Sequence, residues 1–307
     1  MNMIETLKLI QQLSGLSQEK LAQRLKVSFP TFNSWINGKS VPRWKSQEEV
    51  RRLLNEYTGT QKSHPDPLVF KKDIIFSKVA QHKNILKKIR ENPDVYDQFM
   101  LSLTYNTNRI EGSTLSEAET AAILFQNAAL SNKSIIEQLE VKNHQAALER
   151  LFTYCAQTKR IEEAFILQLH GMLMNGIRPD AGSYRQHAVR IVGANIPTAN
   201  YLKVPKLMHE LVADINRASR DVITHAALIH SRFEQIHPFS DGNGRIGRLL
   251  IHGMLLLNNI VPAVIRQEKK RFYIAHLQKS QKDNDFGGLE GFLCDAILEG
   301  FKISERK

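Results

Sequence analysis

Apolar residues recur at three- and four-residue spacing along almost the whole chain, the period of a helix with one buried face. Near the N-terminus the pattern runs Ile4, Leu7, Leu9, Ile10, then Leu21, Leu25, Val27, then Phe32, Trp35, Ile36. It predicts a compact set of short helices over 1–57. Ser17 ahead of Lys20 and Leu21 reads as a helix N-cap, its side-chain oxygen able to accept from a first-turn amide, and Gly38 ends a later helix. Residues 58–67 are polar and broken by one Gly and two Pro, as a linker between domains is. From 68 to 307 the helical period resumes. Ser116 with Glu119 makes a capping box for a helix running to about Leu130, and long helices are expected at 134–158, 161–174, 204–218, 221–236 and 244–259. One segment departs from the pattern. Residues 187–197 place β-branched residues around Gly193, Ala194 and Asn195, which predicts a short β-hairpin. The expected fold class is mainly α: a small helical bundle, then a larger α-helical domain carrying that hairpin as a flap.

Composition narrows the setting. With 307 residues, 42% of them hydrophobic, the chain can bury full cores in one large or two ordinary domains. Its longest apolar runs, such as 253–257, are too short to cross a bilayer, and the N-terminus lacks the basic-then-apolar pattern of a signal peptide. Cys155 and Cys294 are too few for a disulfide framework or a zinc site, which suits a cytoplasmic location. The net charge of +11 is unevenly spread: residues 1–62 hold ten Lys/Arg against five Glu, and Arg266, Lys269, Lys270 and Arg271 form a second basic cluster. Such excess favours phosphate-bearing partners.

The strongest chemical signal is residues 237–248, His-Pro-Phe-Ser-Asp-Gly-Asn-Gly-Arg-Ile-Gly-Arg. The stretch follows one expected helix and opens another. Pro238 stops the first, and Gly242 and Gly244 allow a tight turn that exposes backbone amides. Those amides and the free N–H groups of the next helix make an anion nest. Arg245 and Arg248 lie three apart in the first turns, on one face, where each opposes the helix dipole by ~0.3–1 kcal/mol. They call for dense negative charge nearby, which a triphosphate supplies. Asp241 beside the nest suits a Mg²⁺ ion bridging carboxylate and phosphate. His237 is the side chain of the loop that takes a proton near neutral pH. Gly242, Gly244 and Gly247 also spell a dinucleotide fingerprint, but a strand must precede that motif and here a helix does.

This stretch is similar to the Fic motif, H-x-F-x-[DE]-G-N-G-R-x-x-R, and matches it at every defined position; a looser similarity covers roughly residues 68–300. The resemblance implies an enzyme that transfers AMP from ATP to a Ser, Thr or Tyr hydroxyl of a target protein. It implies His237 as general base, Asp241 as Mg²⁺ ligand, and Gly242, Asn243, Gly244, Arg245 and Arg248 around the phosphates, with Phe239 anchoring the loop. Upstream, residues 107–112, Thr-Asn-Arg-Ile-Glu-Gly, resemble the family's inhibitory helix. Read alone they are a helix ending at a Gly cap. Beside a Fic motif they imply an ion pair between Glu111 and Arg248 that holds the site off, in the class with an N-terminal inhibitory helix. The 187–197 segment resembles the family's flap, which holds the target by backbone pairing. Tyr273 falls where the family carries an aromatic lining the nucleotide pocket, and equally reads as a core Tyr on an amphipathic helix. His170, His225, His230 and His252 fit no ligand spacing and read as packing residues.

Residues 16–43 resemble a Xre/Cro-type helix-turn-helix, with Gln18, Leu21, Ala22, Leu25, Val27, Ser28, Trp35, Gly38 and Pro42 in that family's pattern. Lys26 departs from it in the turn, where Gly is frequent, and Pro30 is tolerable only in a first helical turn. The resemblance implies that Thr31, Asn33 and Ser34 face a major groove while Lys39, Arg43 and Lys45 contact phosphates. A protein-docking role for so small a bundle is the other reading. The partners implied are ATP, a target protein, DNA and a second copy of the chain in a homodimer. Two functional alternatives remain open at this point: removal of AMP by the same site, and a DNA-binding regulator whose Fic-like domain only senses nucleotide.

Overall fold

The structure is a computed structural model that describes residues 3–58, 67–190 and 196–306. The chain divides into two compact units, Met1–Lys78 and Val79–Lys307. The division falls inside a helix and not in the expected linker, most of which (59–66) lies outside the described residues.

The first unit holds α1 (Met3–Ser14), α2 (Gln18–Arg24), α3 (Phe29–Ile36), α4 (Trp44–Thr58) and most of α5 (Pro67–Ala80). Helix α1 packs on α3 and α4, and α2 on α3. Leu7, Ile10, Leu21, Phe32, Ile36 and Val50 meet in the core, each nearly or fully inaccessible. Ser17 and Ser28 cap α2 and α3, accepting from the amides of Lys20 and Thr31. Pro30 sits in the first turn of α3, where its missing N–H costs nothing. Lys26 adopts φ 54°, the left-handed conformation for which Gly is commonly used.

The second unit comprises α6 (Ile85–Glu91), α7 (Pro93–Glu111), α8 (Glu117–Gln126), α9 (Ile135–Gln157), α10 (Glu163–Leu173), α11 (Val204–Ile215), α12 (Val222–Ile236), α13 (Asn243–Leu257), α14 (Lys270–Asp283) and α15 (Gly287–Ser304). Its axis is α13, apolar on nearly every side from Ile246 to Leu256, and therefore surrounded. Helix α12 packs along it, with α7, α9 and α10 against its other sides. The Ser116–Glu119 capping box forms as expected, but α8 stops at Gln126, short of Leu130. Asn127 takes φ 52° there and ends the helix, a conformation that Asn accepts more readily than other non-glycine residues.

The expected β-hairpin at 187–197 is not present: among the described residues there is no strand. Residues 187–190 and 196–200 are irregular, and 191–195 lie outside the described residues. The two arms are joined by a side-chain bond, from Thr198 Oγ1 to the Val189 carbonyl at 2.8 Å. Pro197, which has no N–H, removes one donor that a ladder would need. Among the described residues of this segment the arms are tied by a side-chain bond and not by a ladder.

Helix α15 gives a test of the packing. A Cβ at Gly300 would collide with the Pro262 carbonyl oxygen, whereas one at Gly291 meets nothing within 4 Å. Gly300→Ala should lower stability by about 1–3 kcal/mol through overpacking. Gly291→Ala in the same helix should raise it by about 0.5–1 kcal/mol. Thermal unfolding of the two variants checks the opposite signs.

Candidate active site

The 237–242 connection between α12 and α13 is held by its own backbone. His237 ends α12 at φ 50°, and Gly242 precedes α13 at φ 77°. Asn243, 2% exposed, grips Phe239 twice: its Oδ1 accepts from the Phe239 amide at 2.9 Å and its Nδ2 donates to the Phe239 carbonyl at 2.8 Å. The side chain is thereby spent on the loop, which leaves backbone amides to face a ligand. Phe239 is fully buried and stacks on His170 at 3.7 Å. His170 Nδ1 accepts from the Gly182 amide at 2.9 Å, so its proton sits on Nε2, which donates to the Asp241 carbonyl at 3.1 Å. Burial pushes this imidazole down to about 4, keeping it in that neutral form. A histidine the sequence offered as packing is thus the strut beneath the loop.

The first helical bond of α13 runs from Ile246 N–H to Gly242 O, so the amides of Asn243, Gly244 and Arg245 precede it and point out of the helix start. Over them lies Glu111, the last residue of α7. Its Oε1 meets Arg248 Nη2 at 2.5 Å, and a Cβ on Gly244 would collide with the same carboxylate. Arg248 is 4% exposed at its side chain while Glu111 keeps 36%. Arg248 Nε also donates to Thr107 Oγ1 at 2.7 Å, from the turn of α7 before Glu111. Burial alone would raise the Glu111 carboxyl, yet Arg248, with Arg245 and Lys270 behind it, holds it below its ordinary value.

Arg245 turns elsewhere, because residues three apart on a helix differ by about 60° in direction. Its Nη1 meets Glu140 of α9 at 2.6 Å, and Nη2 lies 3.8 Å from Asp241 Oδ1. The sequence placed both arginines at one anion. In the structure each has a carboxylate of its own, and Glu140, on another helix, carried no signal that could have revealed it. Asp241 remains 56% exposed at its side chain, with Oδ1 accepting from the Gly242 amide at 2.6 Å. No group of three or more His, Cys, Asp or Glu among the described residues could cage a metal. A lone exposed carboxylate beside an amide nest fits an ion shared with phosphates, as Mg²⁺ commonly is.

Residues 160–255 match the Fic/DOC family. That segment runs from just ahead of α10 to the end of α13 and contains the whole 237–248 loop. The chain is similar to Protein adenylyltransferase Fic of Drosophila ananassae, 29% identical over 221 residues, which is 70% of this chain and 43% of that protein. It is 31% identical over 196 residues to the protein of the same name from Drosophila willistoni, covering 62% of this chain and 39% of that one. The chain thus spans about two fifths of the length of these curated relatives. Among solved structures, it resembles a Fic domain-containing signaling protein from Bacteroides thetaiotaomicron, with TM-score 0.66 and 23% identity over 76% of this chain and 96% of the other. Fic-1 from C. elegans (residues 134–508) gives TM-score 0.67 and 21% identity, covering 93% and 84%. These two likenesses show the fold.

Within the matched segment, His237 is 17% exposed at its side chain, and its Nδ1 lies 3.3 Å from the Glu234 carbonyl. A carbonyl only accepts, so Nδ1 bears the proton and Nε2 keeps its lone pair, the arrangement a base needs. Burial, helped by Arg185, holds this imidazole below its ordinary value. Glu234 is a further site residue that the sequence did not flag. Its Oε2 is 3.9 Å from His237 Nδ1, and its Oε1 has no hydrogen-bond partner among the described residues. Burial pushes this carboxyl up to about 8, against the opposing pull of Arg248. Tyr273 is 2% exposed; its hydroxyl meets His230 Nε2 at 2.6 Å and lies beside Arg248. In this state it presents no face to a nucleotide. His230 and His252 are buried, both pushed down to about 3, and His225 is half-buried. A cleft of about 860 Å³ lies elsewhere in the second unit, edged by Lys83, Lys87, Arg90 and Lys159, and contains none of the motif residues.

In the first unit, Thr31, Asn33 and Ser34 are half-buried along α3, while Lys39 and Arg43 are exposed. Thr31 bonds Ser28, Asn33 Nδ2 donates to Gln18 Oε1 at 3.2 Å, and Ser34 bonds Ser40. The side chain of Lys45 lies outside the described residues.

Glu234 yields a pH prediction. Its folded value is about 8, above an ordinary carboxyl near 4.5, so the folded state binds the extra proton between those limits. Stability should therefore fall as pH rises through that window, by up to about 1.4 kcal/mol per pH unit, and level off above it. Glu234→Gln should lack this slope. Melting temperatures of both proteins from pH 5 to 9 check it.

Proposed function

We propose that the chain is an autoinhibited protein adenylyltransferase that transfers AMP from ATP to a hydroxyl of a target protein. The observation that carries the reading is Glu111 on Arg248, seated over Gly244 at the start of α13. A carboxylate there occupies the guanidinium and the helix N-terminus that a phosphate would use, and it repels phosphate as well. The curated relatives, named adenylyltransferases at about 30% identity, support the chemistry.

The residues divide the work. The turn at Gly242 and the free amides of Asn243 and Gly244 cradle the α- and β-phosphates, and Arg248 takes the γ-phosphate once Glu111 has left. Asp241 is the residue that would hold Mg²⁺ against the phosphates, where the ion neutralises charge on them. Nε2 of His237 takes the proton of the target hydroxyl. The freed oxygen forms a bond to the α-phosphorus, the bond to the bridging oxygen breaks, and pyrophosphate leaves. The loop supplies mainly position and fixed charge, which are the large terms in phosphoryl and nucleotidyl transfer.

Glu111→Gly should raise transfer of label from α-labelled ATP with Mg²⁺ by about 10- to 100-fold over the wild type, the ordinary range of a coupling between competing sites. His237→Ala in the same background should abolish it. The variant should be less stable without ATP by about 1–3 kcal/mol, since Arg248 loses its buried partner while Glu111 was itself partly solvated. ATP should then raise its melting temperature more than it raises that of the wild type. Because His237 sits below its ordinary value, activity should fall on the acid side only below about pH 6.5. An absence of labelling in both proteins would overturn the reading.

The first unit supports a second role, DNA binding through α3. Its local excess of basic residues and the exposed Lys39 and Arg43 beyond α3 are what favour it. Lys39→Ala and Arg43→Ala in the full chain should weaken binding to duplex DNA uniformly across sequences, and each should reduce the salt slope by about one. Fluorescence anisotropy over a salt series checks this; unchanged slopes would exclude those side chains.

A further inference from the structure

Arg185 has a guanidinium that no carboxylate meets among the described residues, although only 3% of the residue is exposed. All its bonds go to backbone carbonyls. Nε donates to His237 O at 2.7 Å, and Nη2 to Ile236 O at 3.3 Å. Nη1 donates to His187 O at 2.7 Å, and Nη2 also to Ala199 O at 2.6 Å. Its own amide donates to Pro238 O at 3.0 Å.

Two jobs meet in this one side chain. It closes the C-terminal end of α12, whose last carbonyls lack helical partners and whose dipole favours a cation. It also ties His187 and Ala199, from either arm of the 187–199 segment, to the backbone of His237. The residue so gripped is in the left-handed conformation at φ 50°, uncommon outside glycine. Burying an unpaired cation is costly, and a fold keeps one where four acceptors converge on it. Such a fork matches the planar guanidinium and not an ammonium.

We propose that Arg185 is a positioning residue for the transfer reaction, setting the backbone of His237 and fastening the two arms of the 187–199 segment beside it. The proposal rests on the AMP-transfer reading for its effect on rate, but not for its effect on His237. The charged and titratable groups that face His237 are Arg185 itself, Glu234 of α12, Glu111 of α7 and Asp241 of the loop. Among them Arg185 is the cation, and its charge disfavours the imidazolium. One side chain therefore both places the imidazole and adds its charge to the burial that disfavours the imidazolium.

The test uses the full chain with Glu111→Gly as the active background, adding Arg185→Lys or Arg185→Met. Lys keeps the charge and loses the fork; Met loses both. Both should lower kcat by about 10- to 100-fold, the cost of displacing a catalytic group by about 1 Å. The ATP dissociation constant should change by less than about twofold, because the amides of Asn243 and Gly244 and the side chain of Arg248 are untouched. The acid limb of the pH–rate profile should move to higher pH in Met and stay in place in Lys. Carbon-13 histidine NMR, with His237 assigned by its loss in His237→Ala, reads the same titration without turnover. If Lys transfers AMP as fast as Arg, or if the His237 titration is the same in Met and Arg proteins, the proposal is overturned. If Glu111→Gly itself transfers no AMP, the transfer reading falls, while the His237 titration still decides the role of Arg185. ATP affinity reports folding: a Met variant that fails to bind leaves the decision to Lys, whose kcat and titration suffice.

Discussion

Arg248 is a cation buried in the first turns of a helix, where the dipole opposes it, and the structure is organised around supplying it with an anion. Helix α7 does so end-on. Its C-terminal turn carries the negative end of its own dipole and offers the Thr107 hydroxyl to Nε and the Glu111 carboxylate to Nη2. Two helix termini of opposite polarity thus share one guanidinium. An anion on α13 must compete with an arrangement in which α7 is already satisfied.

The loop itself is braced from within. Asn243 closes it on Phe239, Phe239 is pinned by His170, and His170 carries Asp241 from below. Arg245 is braced by Glu140 and lies on the Asp241 side of the nest, while Arg248 meets Glu111 and Thr107 of α7. Two arginines that look equivalent in the motif are therefore unequal in the fold. One pairs with α9 and the other with α7. The physical reason is the helical rotation of three residues, which aims them at different neighbouring helices.

Much of this was legible in the sequence where the interactions are local. Caps at Ser17 and Ser116, the Gly112 stop and the helices flanking 237–242 follow from spacing of a few residues, and all formed. The Glu111–Arg248 pair came from resemblance, since 137 residues separate the partners and composition says nothing of their meeting. What stayed hidden shares a different feature. Glu140, Glu234, His170 and Arg185 act on partners brought near by tertiary packing, and His170 and Arg185 bind carbonyls and amides, which every residue has. A backbone partner leaves no trace in the sequence. The same blindness explains the hairpin. β-Branched residues at 189–192 argued for a ladder, but the carbonyls of the arms are claimed by side chains: Val189 by Thr198, and His187 and Ala199 by Arg185.

The carbonyls claimed by Arg185 bear on the protonation of His237. A histidine at a helix C-terminus ordinarily gains stability as a cation, because the dipole and nearby carbonyls favour charge there. His237 stands at such a terminus and so should be pushed toward the imidazolium, the wrong form for accepting a proton. The fold counters that in two ways. It buries the ring, which penalises charge, and it fills the helix end with a permanent cation whose own pKa is too high for it to give way. The neighbouring carboxyl at Glu234 does not undo this, since burial keeps it protonated up to about pH 8 and so removes the negative charge that would stabilise an imidazolium. Burial first, with Arg185 adding to it, therefore holds the His237 imidazole below its ordinary value, against the opposing pull of the Glu234 carbonyl, Glu111 and Asp241.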